Sequence, residues 1–196
     1  MSAATAEAIG VAAQQAGVSL SAHAPYYINL ANPSDEMAQK SIQYILSTAR
    51  LLSIMGGSRV VVHVGSPKKE SRETAMALCA ERLTQARAQL IKEGFDHIRL
   101  CLETMGRPSV IGTLEEIMTL VKVDASFLPC IDFGHLHASG GGAINQQADF
   151  EMVLDTVESA LGSERAWRMH MHFSRIEYGK KGEIRHRMFE ETEYGP

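Results

Sequence analysis

The chain is predicted to be an α/β protein built on a parallel sheet, and two observations predict it. Strand-like and helix-like segments alternate along all 196 residues, the pattern of βα units whose helices cover a parallel sheet. Strand after strand also closes on a metal-ligand residue type, namely His23, His63, Glu103, Asp132 and His172. Such a sheet is either doubly wound or closed into a barrel, and periodicity alone does not choose. No Gly-x-Gly-x-x-Gly or P-loop follows any strand, which removes the usual nucleotide-binding reason to prefer the open sheet.

Ser2 to Gln15 is Ala-rich with a partial apolar face, and Gly17 sits where a helix stop belongs. Val18 to His23 alternates like a strand and ends on an imidazole. Pro25 to Pro33 reads as a loop, and Ser34 as the N-cap of a helix whose face is Ile42, Ile45, Leu46, Ala49 and Leu52. Arg59 to His63 is the next strand, followed by a helix from about Ser71 that Gly94 stops. Ile98 to Glu103 is a strand closed by a carboxylate, and Thr113 with Glu116 forms a capping box for the following helix. Phe127 to Ile131 is a strand running into Asp132, a bend at Gly134, and His135. Phe150, Val153, Leu154, Val157 and Leu161 mark an amphipathic helix stopped by Gly162, and Trp167 to His172 is the last strand.

The length suits one domain spanning residues 1–196. With 45% hydrophobic and 21% charged residues the composition is that of a soluble globular protein. No apolar run approaches the roughly 20 residues needed to span a bilayer, and Met1 to Glu7 lacks the features of a secretory signal. A cytoplasmic location without membrane contact is therefore expected. The three cysteines, Cys79, Cys101 and Cys130, form no close-spaced pair, which suits buried thiols in a reducing compartment. A formal charge of −4 argues against a generally basic nucleic-acid-binding surface.

On a barrel, all C-terminal strand ends meet on one rim, so these strand-end residues would converge there. Bringing imidazoles and carboxylates together without cations costs several kcal/mol, on the order of ~2–7 per uncompensated polar group, and a metal offsets that cost. The set, with His135 and additionally His137 and His186, exceeds what one tetrahedral zinc uses. More than one ion is implied, the arrangement suited to phosphoryl displacement.

The segments His23-Ala24-Pro25-Tyr26-Tyr27-Ile28-Asn29-Leu30, Val62-His63-Val64-Gly65-Ser66, Leu102-Glu103-Thr104, Cys130-Ile131-Asp132-Phe133-Gly134-His135 and Met171-His172 resemble, in order and spacing, the endonuclease IV family. The resemblance runs over nearly the whole chain. It implies a TIM (β/α)8-type barrel of the xylose-isomerase-like superfamily, and a zinc-dependent apurinic/apyrimidinic endonuclease of base excision repair that hydrolyses DNA 5′ to an abasic site. By the same resemblance His23 and His63 would hold a first zinc, with Glu103 the catalytic carboxylate bridging to a second. Asp132 and His172 would serve that second zinc, and His135 and His186 a third. Tyr26 matches a tyrosine that contacts DNA at the lesion. Arg175, Lys180, Lys181, Arg185 and Arg187, with Lys68, Lys69 and Arg72, are expected to give that rim a positive face, and Arg185 is the substrate-binding residue expected among them.

The chain also departs from that family. The family carries Asp two residues before the position of His186, where this chain has Ile184, and the adjacent Glu183 is expected to point elsewhere. Two or three zinc ions are therefore expected, the third site lacking a ligand. After His172 the chain reads Phe173-Ser174-Arg175 where the family usually reads Leu-Asn-Asp. A complete barrel needs about 250 residues, so a partial barrel, incomplete at both ends, is expected, lacking the first and last strands and with them a glutamate of the second zinc. Its two open strand edges would favour an oligomer. Competing readings are a sugar isomerase or epimerase of the same superfamily with one divalent ion, and an inactive remnant.

Overall fold

The computed structural model describes residues 1–196. Helix α1 (Ala3–Ala16) is capped by the Ser2 side chain and ends at Gly17, whose φ of 65° lies in the left-handed region that glycine adopts without a Cβ clash. The βα succession follows as β1 (Ser21–His23), α2 (Asp35–Ile54), β2 (Arg59–Val62), α3 (Arg72–Lys92), β3 (Arg99–Glu103), α4 (Leu114–Val121) and β4 (Leu128–Asp132). Then come α5 (Phe133–Ser139), α6 (Gln147–Leu161), α7 (Ser163–Ala166) and β5 (His170–His172), and finally β6 (Arg175–Gly179) and β7 (Gly182–Arg187). The N-caps expected at Ser34 and Thr113 form, the latter as a full capping box with Glu116, and Ser71 caps α3.

All neighbouring strands of the main sheet are parallel, in the order β1-β2-β3-β4-β5. Strand order equal to chain order decides what periodicity left open. A doubly wound sheet reverses direction at a switch point, whereas each crossover here adds the next strand on the same side, as a (β/α) barrel does. The result is an incomplete TIM barrel with β1 and β5 at its open edges.

Strand pleating sorts the side chains. Val60, Val62, Leu100, Leu102 and Ile131 face outward into a 32-residue apolar cluster under the helices. Val61, Cys101, Leu128 and Cys130 face inward and form a small buried cluster on the concave side. The Arg59 guanidinium donates to the Met169 carbonyl at 3.3 Å, reaching from β2 to the approach of β5. One further step along this inward parity reaches His63, Glu103 and Asp132 at the C-terminal ends.

Several local expectations change. The strands expected to start at Val18 and Trp167 begin at Ser21 and His170; Trp167 ends α7 and is 84% exposed. The expected bend after Asp132 is helix α5, because the Asp132 carboxylate accepts from the His135 backbone N–H at 2.7 Å and caps a helix directly off the strand. The basic segment after His172 is the antiparallel β6–β7 hairpin. The cysteines are free and buried. No helix is long and apolar enough to cross a membrane.

Candidate metal centre

His23, Glu103, Asp132 and His172 end β1, β3, β4 and β5, and His63 follows β2 directly. Parallel pairing in near-common register puts these ends side by side. Helix α5 adds His135 and strand β7 adds His186. All of them line one cleft of about 980 Å³, together with Tyr26, Lys68, Arg107 and Glu183.

Glu103, 1% exposed, is the centre of the arrangement. Its Oε2 lies 2.9 Å from His23 Nε2 and 2.7 Å from His63 Nε2, while its Oε1 lies 2.6 Å from His172 Nδ1. His172 Nδ1 is also 3.7 Å from Asp132 Oδ2. Glu103 thus presents one oxygen to each half of the site. Three donor groups could each hold an ion: His23, His63 and Glu103; Glu103, Asp132 and His172; and Asp132, His135 and His186, with donor atoms in each group within 4.8 Å of one another. The first two share Glu103 and the last two share Asp132, so the groups form a continuous chain.

The surroundings aim these donors. His23 Nδ1 donates to the Ala24 carbonyl at 2.7 Å and His135 Nδ1 to the Thr104 carbonyl at 2.7 Å, which turns both Nε2 atoms toward the cleft. A backbone acceptor on the far ring nitrogen is how metal-binding histidines are commonly oriented. The Thr104 hydroxyl accepts from the Asp132 N–H at 2.9 Å, tying the ends of β3 and β4 together. These partners suit divalent ions that take imidazole and carboxylate, zinc among them. A further group joins Cys130 and His170, one step below the rim, to His172.

The histidines and carboxylates of the cluster shift one another. Burial opposes ionisation of Glu103, but hydrogen bonds from His172, His23 and His63 outweigh it and hold the carboxyl well below the usual range. Asp132 is likewise lowered, with His172 and His135 overcoming burial. Hydrogen bonds to Asp132 and then Glu103 push His172 up to about 10. For His23, burial acts downward and is overcome by the Glu103 hydrogen bond and the Ala24 carbonyl, so the ring is raised. The nitrogens that hold protons against the carboxylates are those a cation would take.

Tyr26 stands at the mouth, 79% exposed, its ring 5.6 Å from that of Tyr27. Asn29 Oδ1 accepts from Ala31 N–H and Ser66 N–H, anchoring the Tyr26 loop to the loop after β2. A Cβ on Gly65 would come within 2.1 Å of that Oδ1, so only glycine allows this approach. Arg185 does not line the cleft; its Nε donates to Glu177 at 3.1 Å. His137 is buried away from the metal groups, donating through Nδ1 to the Ile144 carbonyl. Glu183, expected to point elsewhere, does face the site: its Oε2 is 3.6 Å from His135 Nε2 and its Oε1 3.9 Å from His186 Nε2. A β-bulge is the reason. Glu177 pairs with Arg185 and Tyr178 with Glu183, so Ile184 is an extra residue that shifts the parity and puts Glu183 on the side of His186. A carboxylate three residues before His186 was the only trace of this in the sequence, and strand alternation misdirects it.

Comparison with known proteins agrees with this architecture. An uncharacterised protein of Methanocaldococcus jannaschii is 36% identical over 174 residues, covering 89% of this chain and 63% of that protein. A probable endonuclease 4 of Acholeplasma laidlawii is 30% identical over 162 residues, covering 80% of this chain and 53% of that protein. The chain therefore spans between about half and two-thirds of the length of these relatives. Among solved structures, endonuclease IV from Thermus thermophilus superposes with a TM-score of 0.66 at 27% identity, covering 84% of this chain and 57% of that one. A D-tagatose 3-epimerase-like protein shares the fold, with a TM-score of 0.70 at 18% identity over 91% of this chain and 64% of that one. A family profile described as xylose isomerase-like TIM barrel matches residues 1–193, and the chain belongs to that family.

Proposed function

We propose that the protein is a zinc-dependent phosphodiesterase that hydrolyses the DNA backbone 5′ to abasic sites, as in base excision repair. One observation carries this reading: three donor groups are chained through Glu103 and Asp132. Donor groups that share a carboxylate could hold more than one ion in the same cleft, which would suit in-line displacement at phosphorus, where charge develops on attacking and leaving oxygens at once. Bound there, divalent ions supply Lewis acidity and activate water. The chain's own residues hold the site open and aligned. Glu103 spans the first two groups, Ala24 and Thr104 orient His23 and His135, and Tyr26 offers an exposed ring at the mouth for a base or an emptied base position.

Asp132, His135 and His186 would hold the third ion, with Glu183 beside them offering the carboxylate that Ile184 does not. A cytoplasmic location belongs to the same reading, since the free buried thiols suit a reducing compartment. So does association through β1 and β5, each of which pairs on one side only. A metal-dependent sugar epimerase is the second reading, supported by the shared fold, and needs a single divalent ion.

The test is incision of a duplex bearing one abasic site, with and without chelator, beside Glu103→Gln. Zinc-dependent incision lost in Glu103→Gln is expected. Zinc-loaded protein that leaves the duplex intact sinks the proposal; epimerisation of a ketose with one ion bound favours the second reading, and no tight zinc binding an inactive remnant.

A further inference from the structure

The basic residues around the metal cleft differ in what already engages them. Arg72 is engaged with Glu116 and with the Pro108 and Val110 carbonyls. Arg185 and Arg187 are paired with Glu177. Arg175 donates to the Phe189 and Pro196 carbonyls in the C-terminal segment. Only Lys68 and Arg107 among the lysines and arginines line the cleft itself. Both are exposed and neither forms an ion pair.

Two features show that these cations are placed. Lys68 is the one non-glycine residue with positive φ, at 55°, in a turn closed by the Glu70 N–H on the Pro67 carbonyl. That region is costly for a residue with a Cβ, and such strain concentrates at binding sites. Arg107 donates through Nε to the Glu183 carbonyl at 3.0 Å, which fixes the guanidinium and leaves both terminal nitrogens without a protein partner. Lys68 follows the His63 strand and Arg107 the Glu103 strand, so the two sit on loops after adjacent strands, both lining the cleft, with Arg107 beside Glu183.

We infer that Lys68 and Arg107 form an anion clamp for the phosphates flanking the bond that is cut, and so select a polyanionic phosphodiester chain over a neutral sugar. This rests on the nuclease reading and extends it, since two cations complement the negative charge of a phosphodiester, which a neutral ketose lacks. Phosphate contacts of this kind position the chain without reading its sequence.

The experiment is fluorescence anisotropy of a duplex with a tetrahydrofuran abasic analogue over a salt series, on zinc-loaded protein, with zinc content and thermal melting measured in parallel. Lys68→Gly relieves the backbone strain, and Arg107→Gln keeps a donor for the Glu183 carbonyl while removing the charge. Each variant is expected to bind several-fold more weakly and to lower the slope of log K against log salt by about 1, with zinc content unchanged and melting of Lys68→Gly unchanged or raised. Wild-type slopes in both variants overturn the clamp while leaving the nuclease reading standing. Wild-type protein that binds no duplex at any salt concentration overturns both.

Discussion

Glu183 Oε2 lies 3.6 Å from His135 Nε2, on the face of β7 that Ile184 would occupy in an unbroken ladder. The side chain of Ile184 is instead exposed. Glu183 is held from behind, its N–H on the Gly106 carbonyl at 2.8 Å and its own carbonyl on Arg107 Nε. A bulge thus returns a carboxylate to the third donor group.

Glu183→Ala is therefore expected to weaken one bound zinc by about tenfold to a hundredfold, the loss typical when a group supporting a metal site is removed. The protein should stay folded, because the backbone bonds of Glu183 remain. Competition against a chromophoric chelator measures this, and unchanged stoichiometry and affinity would remove Glu183 from the site. Ile184→Asp is expected not to rescue Glu183→Ala, since position 184 faces outward.

Chelation should lower the melting temperature. An ion present at a hundred times its dissociation constant stabilises the fold by about 2.7 kcal/mol, equivalent to roughly 5–10 °C for a chain of this size. Glu103→Gln should lose most of this response, because Glu103 belongs to two of the donor groups. Melting curves that superimpose with and without chelator would count against any tightly bound metal.

Glu116 predicts an acid-sensitive loop. It accepts from Arg72, from the Gly112 N–H at 2.9 Å and from the Thr113 N–H at 3.0 Å. Burial acts against its ionisation, and these hydrogen bonds outweigh that effect and hold the carboxyl below its ordinary 4.5. A lowered folded-state value means the stabilisation is present above about pH 4.5 and is lost as pH falls through the folded value. Glu116→Gln is expected to cost about 1 kcal/mol near neutrality, modest because Arg72 is partly exposed, and less in acid. Urea unfolding at the two pH values checks it, and an equal cost at both would refute the assignment.

The thiols should be inert in the folded protein. Burial pushes Cys79 and Cys101 up to about 12 each, and burial with the nearby Glu103 charge raises Cys130 further. A thiol reagent at about pH 8 should label none of the three cysteines until denaturant is added. Rapid labelling of the native protein would show that the interior opens readily.

Much of the site was legible along the chain because strand alternation is local. An inward Val61 makes His63 inward, and an inward Cys101 makes Glu103 inward, so apolar runs ending in ligand types already mark the rim. The short strands were less legible. Val18 and Trp167 look like strand residues by type, but lateral pairing decides where a strand starts, and their partners are distant in sequence. The hairpin after His172 was missed because its residues are mostly polar and charged, without the apolar alternation that announces a strand.

By itself the sequence determined the βα succession, the helix caps at Ser34 and Thr113, and the ligand types at the strand ends, all set by contacts a few residues apart. Only the tertiary structure decided that the sheet curls rather than reverses, since strand order depends on crossovers between distant segments. Only it decided that Asp132 both caps α5 and joins two donor groups, that Glu183 and not Ile184 faces His135, and that Lys68 and Arg107 line the cleft without an ion pair while Arg72, Arg185 and Arg187 are paired. Each of these depends on which side chains meet across space, and a one-residue bulge reverses what alternation along the chain implies.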